Sequence, residues 1–418
     1  MKQLFIVAPH FPPSALPPSQ RVRLIVKNCK KFHFYPHAYT VNSFYREEVK
    51  DDWMCDLLGD DYSVTEIKCL NQRITRKIGV GDLGLRMLPF LIYRLIKDCK
   101  KKEADFILYP VPPWYILIAA PVVKWFTKVP YAIDFIDPWV HDEISENKNF
   151  KYQATQFIAK KVEKWVCINA SLIFSVSEGI NFNLKKRHPI LKKIPMFAVP
   201  YGAEENDFLS LGNKLTIQKN EKFTIRYIGA IWGDCYEVLD GLMPAFANWR
   251  KEVSFKLEMY GTTYSGEVLA KPQMQKWFED NLMHDYAKEF PLRVPYKKAV
   301  ELTLTADLLF ILGGMQPYYA ASKLMGLIVS KKPFLAFVHK DSFPAKFLNQ
   351  LNFPYLVTYS AEMDELPIKK QSELISTLNL LYNNINQFQP IDLSHSLVLE
   401  NTAEGMAKVF LTNISKHC

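Results

Sequence analysis

The sequence has 418 residues, of which 49% are hydrophobic and 23% charged, and its formal net charge at pH 7 is +9. This composition is typical of a globular protein of two or three domains and excludes a disordered, collagen-like or low-complexity chain. No stretch reaches the roughly 18 consecutive apolar residues of a membrane-spanning helix, and the first apolar run is too short for a signal peptide, so we expect a soluble cytoplasmic protein.

The charge is unevenly distributed along the chain. Residues 1–200 contain 30 Lys and Arg against 19 Asp and Glu, whereas residues 201–418 contain 22 against 24. This asymmetry predicts two domains with different partners. The seven cysteines are scattered, with no C-x-x-C pair, so we expect reduced thiols, with neither a disulfide framework nor a metal site.

Strand-like and helix-like patterns alternate along the first half of the chain. Short apolar runs predict the strands, and apolar residues at helical spacing predict the helices between them. The predicted strands are 4–8, 39–42, 62–67, 105–109, 131–136, 172–176 and 194–199, and the predicted helices are 19–32, 83–102, 113–127, 150–168 and 178–187. Such alternation indicates β/α/β units on a parallel sheet.

The alternation restarts after a polar stretch at 204–221. Here the predicted strands are 223–228, 255–260, 307–311 and 333–337, and the predicted helices are 237–250, 272–288, 295–304, 321–330, 342–350, 370–387 and 402–415. We therefore predict an α/β protein of two Rossmann-like, doubly wound domains, at 1–205 and 216–400, with the final helix at 402–418 crossing back onto the first domain. Paired domains of this kind bind ligands in a central cleft, where the carboxyl ends of the strands meet.

The first candidate motif is a proline-rich loop between the first predicted strand and the first helix. It reads PHFPPSALPPSQRV and contains Pro13, Ser19 and Arg21. Ser19 is the expected N-cap of the helix, which places Arg21 in a first turn that disfavours a positive charge. We therefore expect these residues to line the cleft; a stiff surface loop is the alternative.

The second motif, DFIDPW, ends a predicted strand and carries two carboxylates. A carboxylate can act as a base or hold a sugar hydroxyl, and Trp139 offers an apolar surface for a sugar ring. Residues i and i+3 of a strand face opposite sides, so Asp137, nearer the loop, is the preferred catalytic residue, with Asp134 and His141 as further candidates. An Asp that caps the next helix and a surface His are the alternatives.

Candidate ligand-binding residues follow the predicted strands of the second domain. A glycine directly after a strand lets the backbone approach a ligand, and Ser322, as N-cap, together with Lys323 would bind a diphosphate at the start of helix 321–330. Ordinary turn glycines and a solvated lysine are the alternatives. The candidates are Gly229, Gly261, Arg293, Val294, Ser322 and Lys323.

Taken in order, these motifs resemble the GT-B glycosyltransferases, and among them the retaining family GT4. The similar strings are FPPSALPPSQRV, DFIDPW, VSEG, VPYGAEENDF, YIGA, RVPYKKAVEL followed by ADLLFIL, and SKLMGLIVSKKPFLA. The resemblance implies transfer of a sugar from a nucleotide-sugar to a hydroxyl of a glycan or lipid-linked saccharide, in cell-surface polysaccharide biosynthesis. It also implies retained anomeric configuration, no metal ion or other cofactor, donor binding by the second domain and acceptor binding by the first.

The sequence departs from the family's pattern in the second domain. Gly326 stands where the family has the acidic residue that holds the nucleotide ribose, and Ala230 follows Gly229 where the family often has a basic residue for the diphosphate. The alternative function is therefore a catalytically impaired GT-B subunit that acts as a binding or partner protein. A nucleotide-sugar epimerase with the same fold is a further alternative.

The basic first half bears on possible partners. Helix 83–102 and the stretch before it interleave Lys and Arg with apolar residues, which fits a helix lying on the anionic inner face of a membrane, near a lipid-linked acceptor. A domain helix with a solvated basic face is the alternative. Nucleic-acid binding is disfavoured because the sequence has no RNA-binding aromatic signature.

Overall fold

The computed structural model describes residues 1–45, 48–140, 150–216, 220–263, 270–317 and 322–418. The chain divides into two compact units. Unit 1 consists of Met1–Glu48, Met54–Pro200 and Ala403–Cys418, and unit 2 of Val49–Trp53 and Tyr201–Thr402. Across the described ranges, no helix combines the length and the apolar character needed to span a lipid bilayer.

Strands and helices alternate along the chain. The strands are β1 (Lys2–Val7), β2 (Phe34–Val41), β3 (Ser63–Ile67), β4 (Phe106–Val111), β5 (Tyr131–Phe135), β6 (Leu172–Ser175), β7 (Met196–Ala198), β8 (Phe223–Ile228), β9 (Phe255–Tyr260), β10 (Ala287–Phe290), β11 (Leu308–Leu312), β12 (Phe334–His339) and β13 (Leu356–Tyr359). The helices are α1 (Pro17–Asn28), α2 (Trp53–Asp56), α3 (Gln72–Thr75), α4 (Leu83–Lys102), α5 (Ala119–Thr127), α6 (Phe150–Ile168), α7 (Glu178–Arg187), α8 (Glu205–Gly212), α9 (Cys235–Trp249), α10 (Gln275–Asp280), α11 (Tyr296–Leu304), α12 (Leu324–Ser330), α13 (Phe343–Gln350), α14 (Gln371–Asn383), α15 (Ser396–Glu400) and α16 (Ala403–Ser415).

Each unit is built on a parallel sheet. Within the described residues, unit 1 has seven strands in the order β3-β2-β1-β4-β5-β6-β7, and unit 2 has six in the order β10-β9-β8-β11-β12-β13. With the right-handed crossovers general to parallel β/α/β units, this strand order puts α4, α5, α6 and α7 on the face of the unit 1 sheet opposite α1, which packs on α16. The prediction of two doubly wound α/β domains is confirmed.

The long amphipathic helices form where the sequence predicts them. The bounds of α4, α6 and α7 are those predicted, because each has an apolar face at helical spacing. Polar side chains also cap two of these helices: Asp82 accepts a hydrogen bond from the backbone N–H of Leu85, and Ser177 accepts one from that of Ile180.

Other elements differ from the prediction. Helix α1 begins at Pro17, because a proline at the first helical position has its φ already set and has no N–H to satisfy, so Ser19 lies inside the helix and does not cap it. The expected helix 272–288 is the shorter α10, and strand β10 follows it. The polar stretch at 204–221, expected to separate the two domains, contains α8, which belongs to unit 2.

A buried ion pair joins four parts of unit 1. Arg21 donates from Nε to Oδ2 of Asp134 at 2.7 Å and from Nη2 to Oδ1 at 3.0 Å, and both side chains are fully buried. The Nη1 atom also donates to the carbonyl of Pro200 at 3.2 Å and lies 3.7 Å from Sδ of Met406. The guanidinium carbon is 5.1 Å from the ring centroid of Phe410. One side chain of α1 thus contacts β5, the end of the β7 segment and α16.

A short segment of chain, Val49–Trp53, belongs to unit 2, whereas the residues on both sides of it belong to unit 1. Asp51 accepts a hydrogen bond from the backbone N–H of Lys297 at 2.7 Å, which caps the first turn of α11. Trp53 stacks on Tyr296 with ring centroids 5.6 Å apart. The sequence analysis placed this segment in the first domain, because its partners lie some 240 residues away along the chain.

We expect Asp134→Asn to lower the free energy of unfolding by about 3–5 kcal/mol, because it leaves the guanidinium of Arg21 buried without a counter-charge. Urea denaturation followed by circular dichroism measures this loss. Asp61→Asn is the control, since the Lys30–Asp61 pair is exposed, and we expect it to cost less than about 1 kcal/mol. Equal losses in the two variants would contradict the structural role of Asp134.

Candidate functional site

The sheet of unit 2 has a topological switch point between β8 and β11. From β8 the chain continues to β9 on one side, and from β11 it continues to β12 on the other. Open parallel sheets bind ligands at such a point, beyond the carboxyl ends of the strands. The residues that follow these two strands are Gly229 and Ala230 after β8, and Gly313 and Gly314 after β11.

Lys323 reaches this switch point from the residue before α12. Its Nζ donates to the hydroxyl of Tyr227 at 3.0 Å and lies 4.1 Å from the centroid of the same ring. A Cβ at Gly229 would come within 1.9 Å of that Nζ, and Gly229 has a φ of +147°. Position 229 therefore has to be glycine for the ammonium to occupy this place.

Burial lowers the pKa of Lys323 to about 7, and the charge of Arg293 adds to this effect while the Cys235 thiol opposes it. Arg293 lies beside Gly261, where an added Cβ would be 3.5 Å from the Cα of Arg293. Two cationic side chains thus converge at the carboxyl edge of the sheet. An anionic ligand there would restore the proton of the lysine and pair with the guanidinium.

The other predicted donor-side residues lie close by. Val294 is half-buried next to Arg293, whereas Ser322 is exposed and does not cap α12, because that helix begins at Leu324 and Lys323 takes the cap position. Asp234, which the sequence analysis missed, packs over Gly314, where a Cβ would meet its carboxylate oxygen at 2.5 Å. Its position just before a predicted helix is the signal that could have identified it.

Unit 1 has a corresponding switch point between β1 and β4. His10 follows β1, and its Nδ1 is 3.1 Å from Oε1 of Glu48. Burial by itself would raise the pKa of Glu48, but hydrogen bonds from His10 and Ser14 outweigh it and lower the pKa to about 2. A carboxylate only accepts hydrogen bonds, so Nδ1 of His10 is the donor in this contact. The sequence analysis quoted His10 within its first motif without selecting it.

Asp137 lies just beyond β5, at the same edge of the unit 1 sheet. Its side chain reaches solvent, yet the protein atoms around the carboxyl desolvate it and raise its pKa to about 6. Its backbone carbonyl accepts a hydrogen bond from the indole of Trp114 at 3.3 Å. A carboxyl group with this pKa is mostly in its base form at neutral pH.

The remaining residues expected on the acceptor side occupy other places. Asp134 and Arg21 neutralise each other in the core, so we assign them a structural role in place of the catalytic and cleft roles expected. Trp139 is buried edge-on against Tyr115, with ring centroids 5.3 Å apart, so no open face of its ring is available to a sugar. Ser19 is buried, Pro13 is half-buried after β1, and His141 lies outside the described residues.

We expect Gly229→Ala to displace the ammonium of Lys323 toward solvent and to raise its pKa from about 7 toward the ordinary value of about 10.4. NMR titration of the Cε–Nζ signals in lysine-labelled protein measures this change. Gly233→Ala is the matched control, since Gly233 also has a positive φ but no atom within 4 Å of an added Cβ. A Lys323 titration that is the same in both variants would contradict the close packing against Gly229.

No protein-family model matches the sequence, and no curated protein matches it either. Solved structures are similar over the whole chain. Sucrose-phosphate synthase from Thermosynechococcus elongatus has a TM-score of 0.63 at 10% identity, over 100% of this chain and 99% of that one. HepE from Anabaena, in complex with UDP-glucose, has a TM-score of 0.59 at 12% identity, over 100% and 99%.

An enzyme of another class shares the architecture. UDP-GlcNAc 2-epimerase from Methanocaldococcus jannaschii has a TM-score of 0.53 at 11% identity, and the match covers 100% of both chains. Identities this low concern the fold and leave the reaction open. The chain has the GT-B fold that the sequence motifs predicted, two parallel-sheet α/β domains over its full length.

Proposed function

We propose that this chain is a glycosyltransferase that binds a nucleotide-sugar donor on unit 2 and a hydroxyl-bearing acceptor on unit 1. The observation that carries the proposal is the pair of basic side chains at the carboxyl edge of the unit 2 sheet, Lys323 at the switch point and Arg293 beside Gly261. A nucleoside diphosphate is an anion that suits such a pair. The shared fold supports the same donor class, since HepE was solved with UDP-glucose.

The transfer breaks the bond between the anomeric carbon and the phosphate oxygen, and negative charge develops on the leaving diphosphate. Lys323 and Arg293 are placed to stabilise that charge. The acceptor oxygen forms the new bond to the anomeric carbon. In our proposal Asp137 positions the acceptor hydroxyl and takes up its proton, and His10, oriented by Glu48, is a second polar group available to the acceptor.

The finer assignment rests on the resemblance to family GT4. It is a metal-independent hexosyl transfer that retains the anomeric configuration, with a glycan or lipid-linked saccharide as acceptor, in cytoplasmic synthesis of a cell-surface polysaccharide. NMR of the product anomer tests retention, and activity in the presence of EDTA tests metal independence.

A second candidate function is a non-catalytic GT-B subunit. Position 326 favours it, because glycine offers no carboxylate to a ribose; the nearest atom to an added Cβ there is Cζ of Phe208, at 3.7 Å. Thermal shift with UDP, GDP and their sugars separates the two functions. A shift with one nucleotide-sugar that disappears in Lys323→Ala supports the enzyme, and no shift with any nucleotide favours the subunit.

We expect kcat/KM to have a narrow optimum between pH 6 and 7. It rises as Asp137 loses its proton near pH 6 and falls as Lys323 of the free enzyme loses its proton near pH 7. Asp137→Ala and Lys323→Ala should each lower turnover by about 100-fold, and each should remove its own limb of the profile. Lys346→Ala, an exposed lysine of unit 2, is the control. Wild-type turnover in both site variants would refute these roles.

A further inference from the structure

Helix α6 presents apolar side chains outward. Phe157 is 64% exposed, Ile158 54%, Trp165 40% and Ile168 39%. The helix buries its opposite side, which includes Ala159, Val166 and Cys167. A helix on the surface of a globular domain ordinarily turns its apolar stripe inward and a polar face outward, so these side chains form an additional apolar face.

The orientation of α6 is fixed by a buried charge cluster. Glu163, fully buried, accepts a hydrogen bond from Nε of Arg187 at 2.7 Å and lies 2.9 Å from Nε2 of His188. Glu163 is the one acidic residue in the α6 sequence. The exposed charges of the helix are therefore all positive: Lys160, Lys161 and Lys164, with the ammonium of Lys161 5.4 Å from the ring centroid of Phe157.

The end of α5 continues the same surface. Lys124 donates from Nζ to the carbonyl of Asn169, directly after α6, at 2.7 Å, and thereby brings the two helix ends together. Next to it on α5, Trp125 is 71% exposed and Phe126 is 52% exposed. Lys128, which directly follows α5, is exposed as well. We name these exposed residues of α5 and α6 the aromatic–lysine surface.

We propose that the aromatic–lysine surface docks unit 1 on an anionic lipid bilayer. Tryptophan and phenylalanine favour the boundary between headgroups and acyl chains, and lysines extend their ammonium groups from that depth to anionic headgroups. The lysines and the apolar side chains of this surface argue against two other binding partners, a second copy of the chain and a nucleic acid. A second copy facing the first would set lysines against lysines, and a nucleic acid would leave Ile158 and Ile168 in water.

The aromatic–lysine surface is not the membrane-facing surface that the sequence suggested, which was helix α4. The apolar residues Met87, Leu91 and Leu95 of α4 are buried within unit 1. Both arginines on α4 have internal partners: Arg86 donates to the carbonyl of Leu70, and Arg94 pairs with Asp98. Helix α4 therefore buries its main apolar face and exposes Phe90 and Tyr93, whereas α6 and the end of α5 expose six apolar side chains.

Flotation of the full chain with lipid vesicles tests the proposal. We expect the protein to float with phosphatidylcholine vesicles that contain phosphatidylglycerol, to stay behind with pure phosphatidylcholine, and to lose binding as salt is raised. The triple variant Lys160→Glu, Lys161→Glu, Lys164→Glu should lower the partition coefficient by about 100-fold or more. Phe157→Ser with Ile158→Ser should lower it by at least about tenfold, because two apolar side chains stay in water.

Matched controls on unit 2 separate this surface from a general effect of charge or hydrophobicity. They are Lys251→Glu with Lys276→Glu and Lys346→Glu, and Leu282→Ser with Met363→Ser, all at exposed positions. We expect both controls to float like the wild type. Circular dichroism checks the folding of each variant. If the double variant Phe157→Ser, Ile158→Ser fails to fold, Trp125→Ser replaces it as a variant of this surface.

Three outcomes would overturn the proposal. The wild type could fail to float with anionic vesicles at low salt, or the surface variants could float as the wild type does. The protein could instead sediment as a dimer that the double variant Phe157→Ser, Ile158→Ser converts to a monomer. The surface would then bind a second copy of the chain. Vesicle binding needs no sugar donor, so this result stands apart from that of the proposed enzymatic function.

Discussion

The ion pair between Arg21 and Asp134 is the interaction on which unit 1 depends. A buried guanidinium is tolerated only with an ionised partner and with its remaining donors satisfied. Arg21 meets both conditions with groups from three separate parts of the chain: the carboxylate on β5, the carbonyl of Pro200 and the aromatic ring of Phe410. Helix α16 thus contacts the buried charge through Met406 and Phe410, and it also buries its apolar face in the core that it shares with α1.

Lys323 of unit 2 lies in a different environment from Arg21, without an acidic partner among the contacts that the structure describes for it. Lys323 contacts the ring and hydroxyl of Tyr227, and burial there lowers the pKa of its ammonium. The Arg21 pair is complete in itself and stabilises the fold, whereas the ammonium of Lys323 gains stability when an anion arrives. This contrast is the physical reason for proposing that unit 2 binds the donor.

The elements that depend on local pattern were predicted well. The bounds of α6 follow from apolar residues repeated at helical spacing, and the start of α7 follows from Ser177, which caps its own helix. The start of α1 was predicted at Ser19 as the N-cap, but the helix begins two residues earlier, at Pro17. Local pattern also identified Gly229 and Lys323, although their mutual contact depends on a fold that brings residues 94 positions apart together.

Roles that depend on long-range partners were not accessible to sequence reasoning. Asp134 and Asp137 share one motif, and only the partner of Asp134, 113 residues earlier in the chain, shows which of the two belongs to the core. The same holds for His10, whose orientation becomes clear only from its contact with Glu48, 38 residues later in the chain. The solvent face of α6 could be assigned only once Glu163 had been placed against Arg187, because that contact fixes the rotation of the helix.

The segment Val49–Trp53 has a consequence for dissecting the protein. Together with the return of Ala403–Cys418 to unit 1, it means that neither unit is a continuous stretch of chain. A fragment cut after Pro200 would lose α16 and leave Trp53 without Tyr296, and the complementary fragment would lose the side chain that caps α11. Cutting the chain at one position would therefore leave each half incomplete. A complete unit has to be expressed by joining its separate segments, not by truncating the chain.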